Sequence, residues 1–369
     1  MSYKVTVIIP SYNSVEFLDE TIGSIQEQTF GFENIELILI DDYSTDSTQE
    51  MINDYCNRYE NIRTYESGKK TGTPGRARNI AIKKAEADYV MFIDHDDKYL
   101  PDTVEKLYNA ISKNSADVAI GKFQTFGDRY IVSEDWVNND IILNSIDENP
   151  LFFSINNIWR MIFPKSLLIK NEIEFPEGVF AEDLTFMIDV FVNSDKIVFI
   201  NDVVYNFRLR AGDTTSTSLS KGMHYLNGLI KGYDDTVKVL EKNNALHYYD
   251  RVFNQHISCW LSDVALSENL SEEEKKELIE KSVPFIQKMK NIEPYPVNNA
   301  LKNIMLTIKD ERLEDAYNQM KEYKFFTYKV VELENELNFK KQQVAILQTT
   351  KGWFKYKYNN ILERVRKKV

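Results

Sequence analysis

The chain has 369 residues, 43% hydrophobic and 28% charged, with a formal net charge of −12. That length exceeds one ordinary core and predicts two or more units of a soluble globular protein, while the acidic balance excludes general nucleic-acid binding. No apolar run reaches the roughly 18 residues of a membrane span, and Cys56 and Cys259 are too few for a disulfide framework and lack metal spacing.

The N-terminal MSYKVTVIIPSYN carries one Lys, and its short apolar run leads into Pro10 rather than a small-residue cleavage site. A signal peptide is therefore not expected, and the expected location is cytoplasmic. KVTVIIP (4–10) is a β-branched run and predicts a strand stopped by Pro10. Residues 14–28 carry a helical stripe of Phe17, Leu18, Ile22 and Ile25. A second strand is predicted over 35–41, then a helix over 46–59 with Asp46 as N-cap, and another over 75–85. A strand over 88–94, a helix over 100–114 and a strand over 116–123 follow. Apolar strands separated by helices predict an α/β fold with a Rossmann-like, largely parallel sheet covered on both faces. In such sheets ligands bind beyond the carboxyl ends of the strands.

One strand ends in Phe92-Ile93-Asp94-His95-Asp96-Asp97, where three carboxylates crowd into four positions. They repel unless a cation or water lies among them. Either an Asp caps the helix beginning near Leu100, or the hard oxygens gather Mg²⁺ or Mn²⁺ with a substrate diphosphate. The first strand ends in Pro10-Ser11-Tyr12-Asn13, a turn that can lay an aromatic ring beside a base. The second ends in Asp41-Asp42, a carboxylate placed to accept from a base N–H. The stretch from Gly72 to Asn79 is a loop entering a helix whose N-terminus and arginines, Arg76 and Arg78, suit a phosphate or nucleotide. It has neither the Gly-Lys-Ser/Thr of a P-loop nor a dinucleotide-binding glycine pattern.

In order and spacing, VTVIIPSYN, LIDDYSTDST, GRARNIAI and FIDHDD resemble glycosyltransferase family 2, inverting enzymes of GT-A fold that use nucleotide sugars. The resemblance covers residues 4 to about 215. It implies a nucleotide-sugar pocket from Pro10, Tyr12, Asn13, Asp42, Arg78, Asn79, Asp94 and His95, and a metal held by Asp94 and Asp96. VFAEDLTFMIDVFVNS (179–194) resembles the segment bearing the family's catalytic base, which implies Asp183 as base beside Glu182. Without the upstream motifs that pair would read as an acidic helix start favoured by the macrodipole. IWRMIFPKSLL (158–168) resembles the acceptor side, where Trp159 would stack on a sugar, a core Trp being the other reading. YNFRLRAGDTTSTSLS (205–220) resembles the loop over the diphosphate and offers Arg208 and Arg210. Relatives sometimes place a metal-binding His in that loop. Here Thr217 and Ser218 occupy the region and the nearest His is His224, so the metal is expected to lean on water and diphosphate.

Within the family the likeness to wall teichoic acid glycosyltransferases implies UDP-N-acetylglucosamine as donor and a polyol-phosphate polymer as acceptor. Capsule or surface-protein glycans are alternative acceptors. A non-catalytic binding protein on the same fold and a nucleotidyltransferase are alternatives of other classes.

After residue 220 the glycines thin and helices are predicted over 225–243, 248–268, 271–290 and 297–322. The expected division is a catalytic domain over 1–220, a helical region over 221–326 and a coiled coil with a tail over 327–369. Val330, Leu333, Leu337, Lys340, Val344 and Leu347 follow heptad spacing, either for self-association into a homo-oligomer or for docking on the same subunit. From Lys351 to Val369 seven Lys/Arg face one Glu, and Phe354, Tyr358, Ile361, Leu362, Val365 and Val369 form one helical stripe. A basic amphipathic helix of this kind can lie on an anionic membrane; the alternative is a solvated helix with a basic end.

Overall fold

The computed structural model describes residues 3–127, 131–133, 137–209, 221–294 and 298–348. The first half alternates as the apolar runs predict. It comprises β1 (Val5–Ser11), α1 (Leu18–Gln26), β2 (Ile35–Asp41), α2 (Thr48–Arg58), β3 (Ile62–Thr64), α3 (Gly75–Lys84) and β4 (Tyr89–Phe92). β3, β2, β1 and β4 lie side by side and parallel. β1 is buried along its whole length and runs through Pro10 to Ser11, opposite Asp41 of β2. Register alone therefore brings the residues after Ser11 beside Asp41-Asp42, and the Asp42 N–H donates to the Ser11 carbonyl at 2.8 Å.

The sheet continues through β5 (Lys98–Tyr99), α4 (Thr103–Asn114), β6 (Val118–Gly127), β7 (Ile141–Leu143), β8 (Met161–Pro164), α5 (Lys165–Lys170), α6 (Glu182–Val192) and β9 (Ile197–Leu209). The sheet is mostly parallel, as expected, but mixed in this half. β8 is antiparallel to β4 and β6, and β5 and β7 are antiparallel to β9, although β6 and β9 are parallel. The reason is the connection: β8 is reached through short helical turns over 146–160 rather than a crossover helix, which only a parallel neighbour requires. The order is β3-β2-β1-β4-β8-β6-β9-β5, with β7 beside β9.

Five helices follow among the described residues: α7 (Met223–Lys242), α8 (Tyr249–Leu266), α9 (Glu272–Lys288), α10 (Asn299–Lys309) and α11 (Leu313–Gln348). The single helix predicted over 297–322 breaks in two. Glu311 turns left-handed at φ 59°, which ends α10, and α11 then runs through residue 326 to 348 without interruption. Buried apolar residues of sheet and helices form one contiguous cluster. Among the described residues no helix is long and apolar enough to cross a membrane.

α8 carries His256, whose Nε2 is buried without a hydrogen-bond partner. Burial lowers its pKa to about 4, against an opposing hydrogen bond with the Phe153 backbone. An unfolded His titrates near 6.5, so the native state excludes a proton that the unfolded chain takes up between about pH 6.5 and 4. Stability is therefore lost as pH falls through that window, by up to about 3 kcal/mol. His256→Gln, which cannot charge, is expected to lose less melting temperature than wild type between pH 6.5 and 4.5. Parallel losses in the two proteins would remove His256 as the cause.

Candidate functional site

The loops after β1, β2 and β4 meet at one end of the parallel half. After β1, Tyr12 stands 40% exposed. Lys70 lies 4.1 Å from the ring centroid and donates to the Tyr12 hydroxyl at 2.8 Å. Asn13 takes a left-handed turn, φ 48°, its N–H donating to Ser44 Oγ and its Oδ1 accepting from the Thr45 N–H. Pro10 supplies backbone within β1. Asp42 is buried, and its two oxygens accept from the Thr71 and Gly72 N–H groups at 2.8–3.2 Å. The acceptor expected to read a base N–H is thus engaged in bracing the 68–73 loop against β2. Lys70 rides on that loop; its place between Gly68 and Gly72 was the signal in the sequence, a cation on a turn free to approach the aromatic ring.

Arg78 lies at the centre of the site. α3 carries it inward until its side chain is only 2% exposed. Nη1 donates to Asp183 Oδ1 at 2.6 Å and Glu182 Oε1 at 3.2 Å, and Nη2 donates to Asp94 Oδ1 at 3.0 Å. The guanidinium rests over the Phe175 ring, which stacks on Phe186 at 3.9 Å between centroids. One cation thus faces three carboxylates. Burial pushes the Asp183 carboxyl well above the usual range; Arg78 pulls it down, while Glu182 and Asp94 raise it further. Glu182 is raised by burial as well, against the pull of Arg78. Arg78 is itself held more firmly charged by Asp183, Asp94 and Glu182, against burial. Asp183 keeps 26% of its side chain exposed, so its second oxygen can face a ligand.

The three carboxylates after β4 have separate fates. Asp97 is buried and structural: it accepts from Tyr205 Oη at 2.8 Å and from the Arg208 N–H at 2.6 Å. Neither Asp96 nor Asp97 caps the following helix, which starts at Thr103. Asp94 faces Arg78. Asp96 and His95 are half-buried beside it, and the His95 carbonyl accepts from Thr21 Oγ1 at 2.9 Å. No group of three or more His, Cys, Asp or Glu able to hold a metal occurs among the described residues. Asp94 and Asp96 still suit Mg²⁺ or Mn²⁺, since such ions take one or two carboxylates and complete their shell with substrate phosphates and water. His224 packs edge-on against Phe180, 5.3 Å between ring centroids.

Three expected site residues are committed elsewhere. Trp159 is 6% exposed and stacks on Tyr205 at 4.1 Å, so it is a core residue and not a platform for acceptor. Asn79 pairs in both directions with the Phe175 backbone at 2.8 Å, which ties α3 to the segment before α6. Arg208 donates from Nε to the Asp96 carbonyl at 2.7 Å and from Nη2 to Glu20, and it lies over Phe126 and Phe17. It fixes the acidic loop instead of reaching over it. Arg210, Thr217 and Ser218 lie outside the described residues.

The helical region sets the position of the Glu182-Asp183 pair. Ala181 turns left-handed, φ 65°, to start α6. Gly228 and Gly232, one turn apart on α7, receive Phe180: a methyl at 232 would collide with the Phe180 carbonyl oxygen. Thr185 Oγ1 donates to the Gly232 carbonyl at 3.1 Å. Gly232→Ala is therefore expected to destabilise by about 1–3 kcal/mol through overpacking. Gly23→Ala, which meets nothing within 4 Å inside α1, is expected to melt at or above wild type. Equal melting of both variants with wild type would show that α7 does not constrain the start of α6.

A family model for glycosyl transferase family 2 matches residues 6–155. A poly(ribitol-phosphate) beta-glucosyltransferase of Bacillus spizizenii is 31% identical over 208 residues, 56% of this chain and 32% of that protein. Glycosyltransferase GlyG of Streptococcus pneumoniae is 30% identical over 227 residues, 59% of this chain and 74% of that one. This chain thus spans about a third of the Bacillus protein, 32%, and most of the pneumococcal one, 74%. The crystal structure of Staphylococcus aureus TarS 1–349 with UDP-GlcNAc superposes with a TM-score of 0.70 at 22% identity, over 87% of this chain and 91% of that one. The fold is therefore GT-A, and the chain belongs to glycosyltransferase family 2.

Proposed function

We propose that the protein transfers a sugar, with inversion, from UDP-N-acetylglucosamine to a hydroxyl of a polyol-phosphate surface polymer such as wall teichoic acid. The observation that carries the reading is the Asp183 carboxylate, held by Arg78 beside Asp94 where the parallel strands end. Similarity to a poly(ribitol-phosphate) glucosyltransferase, and to a fold crystallised with UDP-GlcNAc, supports the choice of acceptor and donor class. The Tyr12 ring would stack on the base, with Lys70 at its hydroxyl and the Asp42-braced loop beside it. The acceptor hydroxyl gives its proton to Asp183 as its oxygen bonds to the anomeric carbon, and the bond from that carbon to the diphosphate breaks, releasing UDP with the electron pair. Burial serves this step, because a carboxylate raised above its usual range is the stronger base. Asp94 and Asp96 would hold Mn²⁺ or Mg²⁺, which when bound neutralises charge on the diphosphate. Residues 349–369 lie outside the described residues. The proposal that they dock on the cytoplasmic face of a membrane rests on their basic, aromatic sequence.

Two variants test the reading. Asp183→Asn keeps its shape and can still accept from Arg78 but cannot take a proton. Transfer is expected to fall at least ~10²-fold with donor binding kept. Because the native carboxyl is raised, its ionisation weakens the folded state above the unfolded pKa. The unliganded variant should therefore melt at or above wild type at pH 8. Near-normal turnover would take Asp183 out of the mechanism. Asp96→Ala should abolish transfer and also the Mn²⁺-dependent part of UDP binding, measured by calorimetry. In wild type, UDP at a hundred times its Kd should stabilise by about 2.7 kcal/mol. Full Mn²⁺-dependent UDP binding in the variant would refute the metal assignment, and release of pyrophosphate in place of UDP would mark a nucleotidyltransferase.

A further inference from the structure

α11 begins inside the protein and ends outside it. Ala316, Tyr317 and Met320 are buried where the helix meets its neighbours, and Tyr323 Oη bonds Ser262 Oγ of α8 at 3.0 Å. Beyond that point the apolar side chains turn to solvent: Phe326 is 62% exposed, Val330 53%, Leu333 52% and Leu337 52%. A helix that buries nothing gains little from packing and is marginal in water. One set of these apolar residues keeps a regular spacing, while Phe325, also exposed, and Val331 lie off it.

From Phe326 the steps to Val330, Leu333 and Leu337 are four, three and four residues, and the sequence continues to Lys340, Val344 and Leu347 in the same rhythm. That is the a/d seam of a left-handed coiled coil, with Val330, Leu337 and Val344 at a and Leu333, Lys340 and Leu347 at d. β-Branched residues at a with Leu at d favour two parallel strands; Val330 with Leu333 and Val344 with Leu347 keep that pattern, while Leu337 at a and Lys340 at d interrupt it. The flanking charges select the same partner. By sequence, Lys329 and Glu336 occupy g, and Glu334 and Lys341 occupy e. In a parallel pair each g position faces e of the next heptad on the other strand, so Lys329 meets Glu334 and Glu336 meets Lys341, unlike charges both times. A fully overlapped antiparallel pair would set Glu336 against its own copy.

We propose that residues 326–347 pair with the same segment of a second copy as a parallel two-stranded coiled coil. The catalytic halves are then tethered at one end, and two sites act on one polymer at raised effective concentration. The pairing does not depend on what the sites do.

The test is the mass of the full chain in solution by light scattering. A dimer of twice the 43.2 kDa chain mass is expected. Leu333→Lys with Leu337→Lys alters exposed positions only and should give a monomer with unchanged circular dichroism and UDP binding. In a Cys259→Ser background, Val330→Cys should oxidise to a covalent dimer, because parallel strands hold the two thiols at one level. A monomeric full chain at every concentration, a trimer, or a dimer that survives the double Lys change would overturn the proposal. Failure of Val330→Cys to cross-link would overturn the parallel arrangement. UDP binding by the monomeric variant separates this outcome from any failure of the glycosyltransferase reading.

Discussion

A single guanidinium, buried to 2% exposure, holds carboxylates from two distant parts of the chain, and the site is arranged around that bond set. Asp94 follows β4 and Glu182-Asp183 begin α6, so Arg78 joins the parallel half of the sheet to the last part of the GT-A domain. A buried charge left without its partner costs about 3–5 kcal/mol. Arg78 therefore cannot be truncated without exposing both segments to repulsion, and neither segment can drift from it. The surroundings enforce this. Asn79 binds the Phe175 backbone, and a methyl at Gly75 would come within 2.6 Å of the Pro176 carbonyl. The start of α3 and the chain leading into α6 are thus one packed unit. The N-terminus of α6 adds its positive dipole end beneath Glu182 and Asp183.

Three acids after β4 coexist because each has a different environment. Asp97 is taken out of the ligand site by Tyr205 and the Arg208 N–H, with burial pushing its carboxyl well above the usual range. Asp94 is paid for by Arg78. Arg208 holds the Asp96 backbone, donating from Nε to its carbonyl at 2.7 Å. The crowding that looks repulsive in a linear sequence is thus resolved by contacts with β9, 108 positions away, and with α3, 16 positions away.

The parallel half was legible from residue types because each of its strands is a continuous apolar run ending in a polar turn. β1, β2 and β4 lie where those runs lie, and Tyr12, Asp42, Arg78, Asp94 and Asp183 do fall at one end of the sheet. The antiparallel strands were not legible. β8 is the four residues Met161–Pro164, too short to show a period, and its direction depends on the route of the chain before it. Side-chain commitment was equally hidden. Asn79, Trp159 and Arg208 sit within motifs that resemble ligand-binding ones, yet each satisfies a buried partner that lies far away in sequence. Nothing local distinguishes an Asn that binds a nucleotide from one that pairs with the backbone at Phe175.

The helical region is mechanically part of the site even though it contributes no carboxylate to it. α7 bears the two glycines that admit Phe180, and Thr185 and Thr236 close the α6–α7 contact through hydroxyls 2.9 Å apart. The position of Asp183 is therefore set from both sides, by Arg78 on α3 and by the floor of α7. The exposed length of α11 differs in kind. It is joined to the body around Ala316, Tyr317 and Met320, Tyr328 Oη donates to the Leu266 carbonyl at 3.3 Å, and farther along Val330, Leu333 and Leu337 are exposed. A partner acting there can arrange whole molecules without disturbing the geometry at Arg78, because the two regions share no side chain.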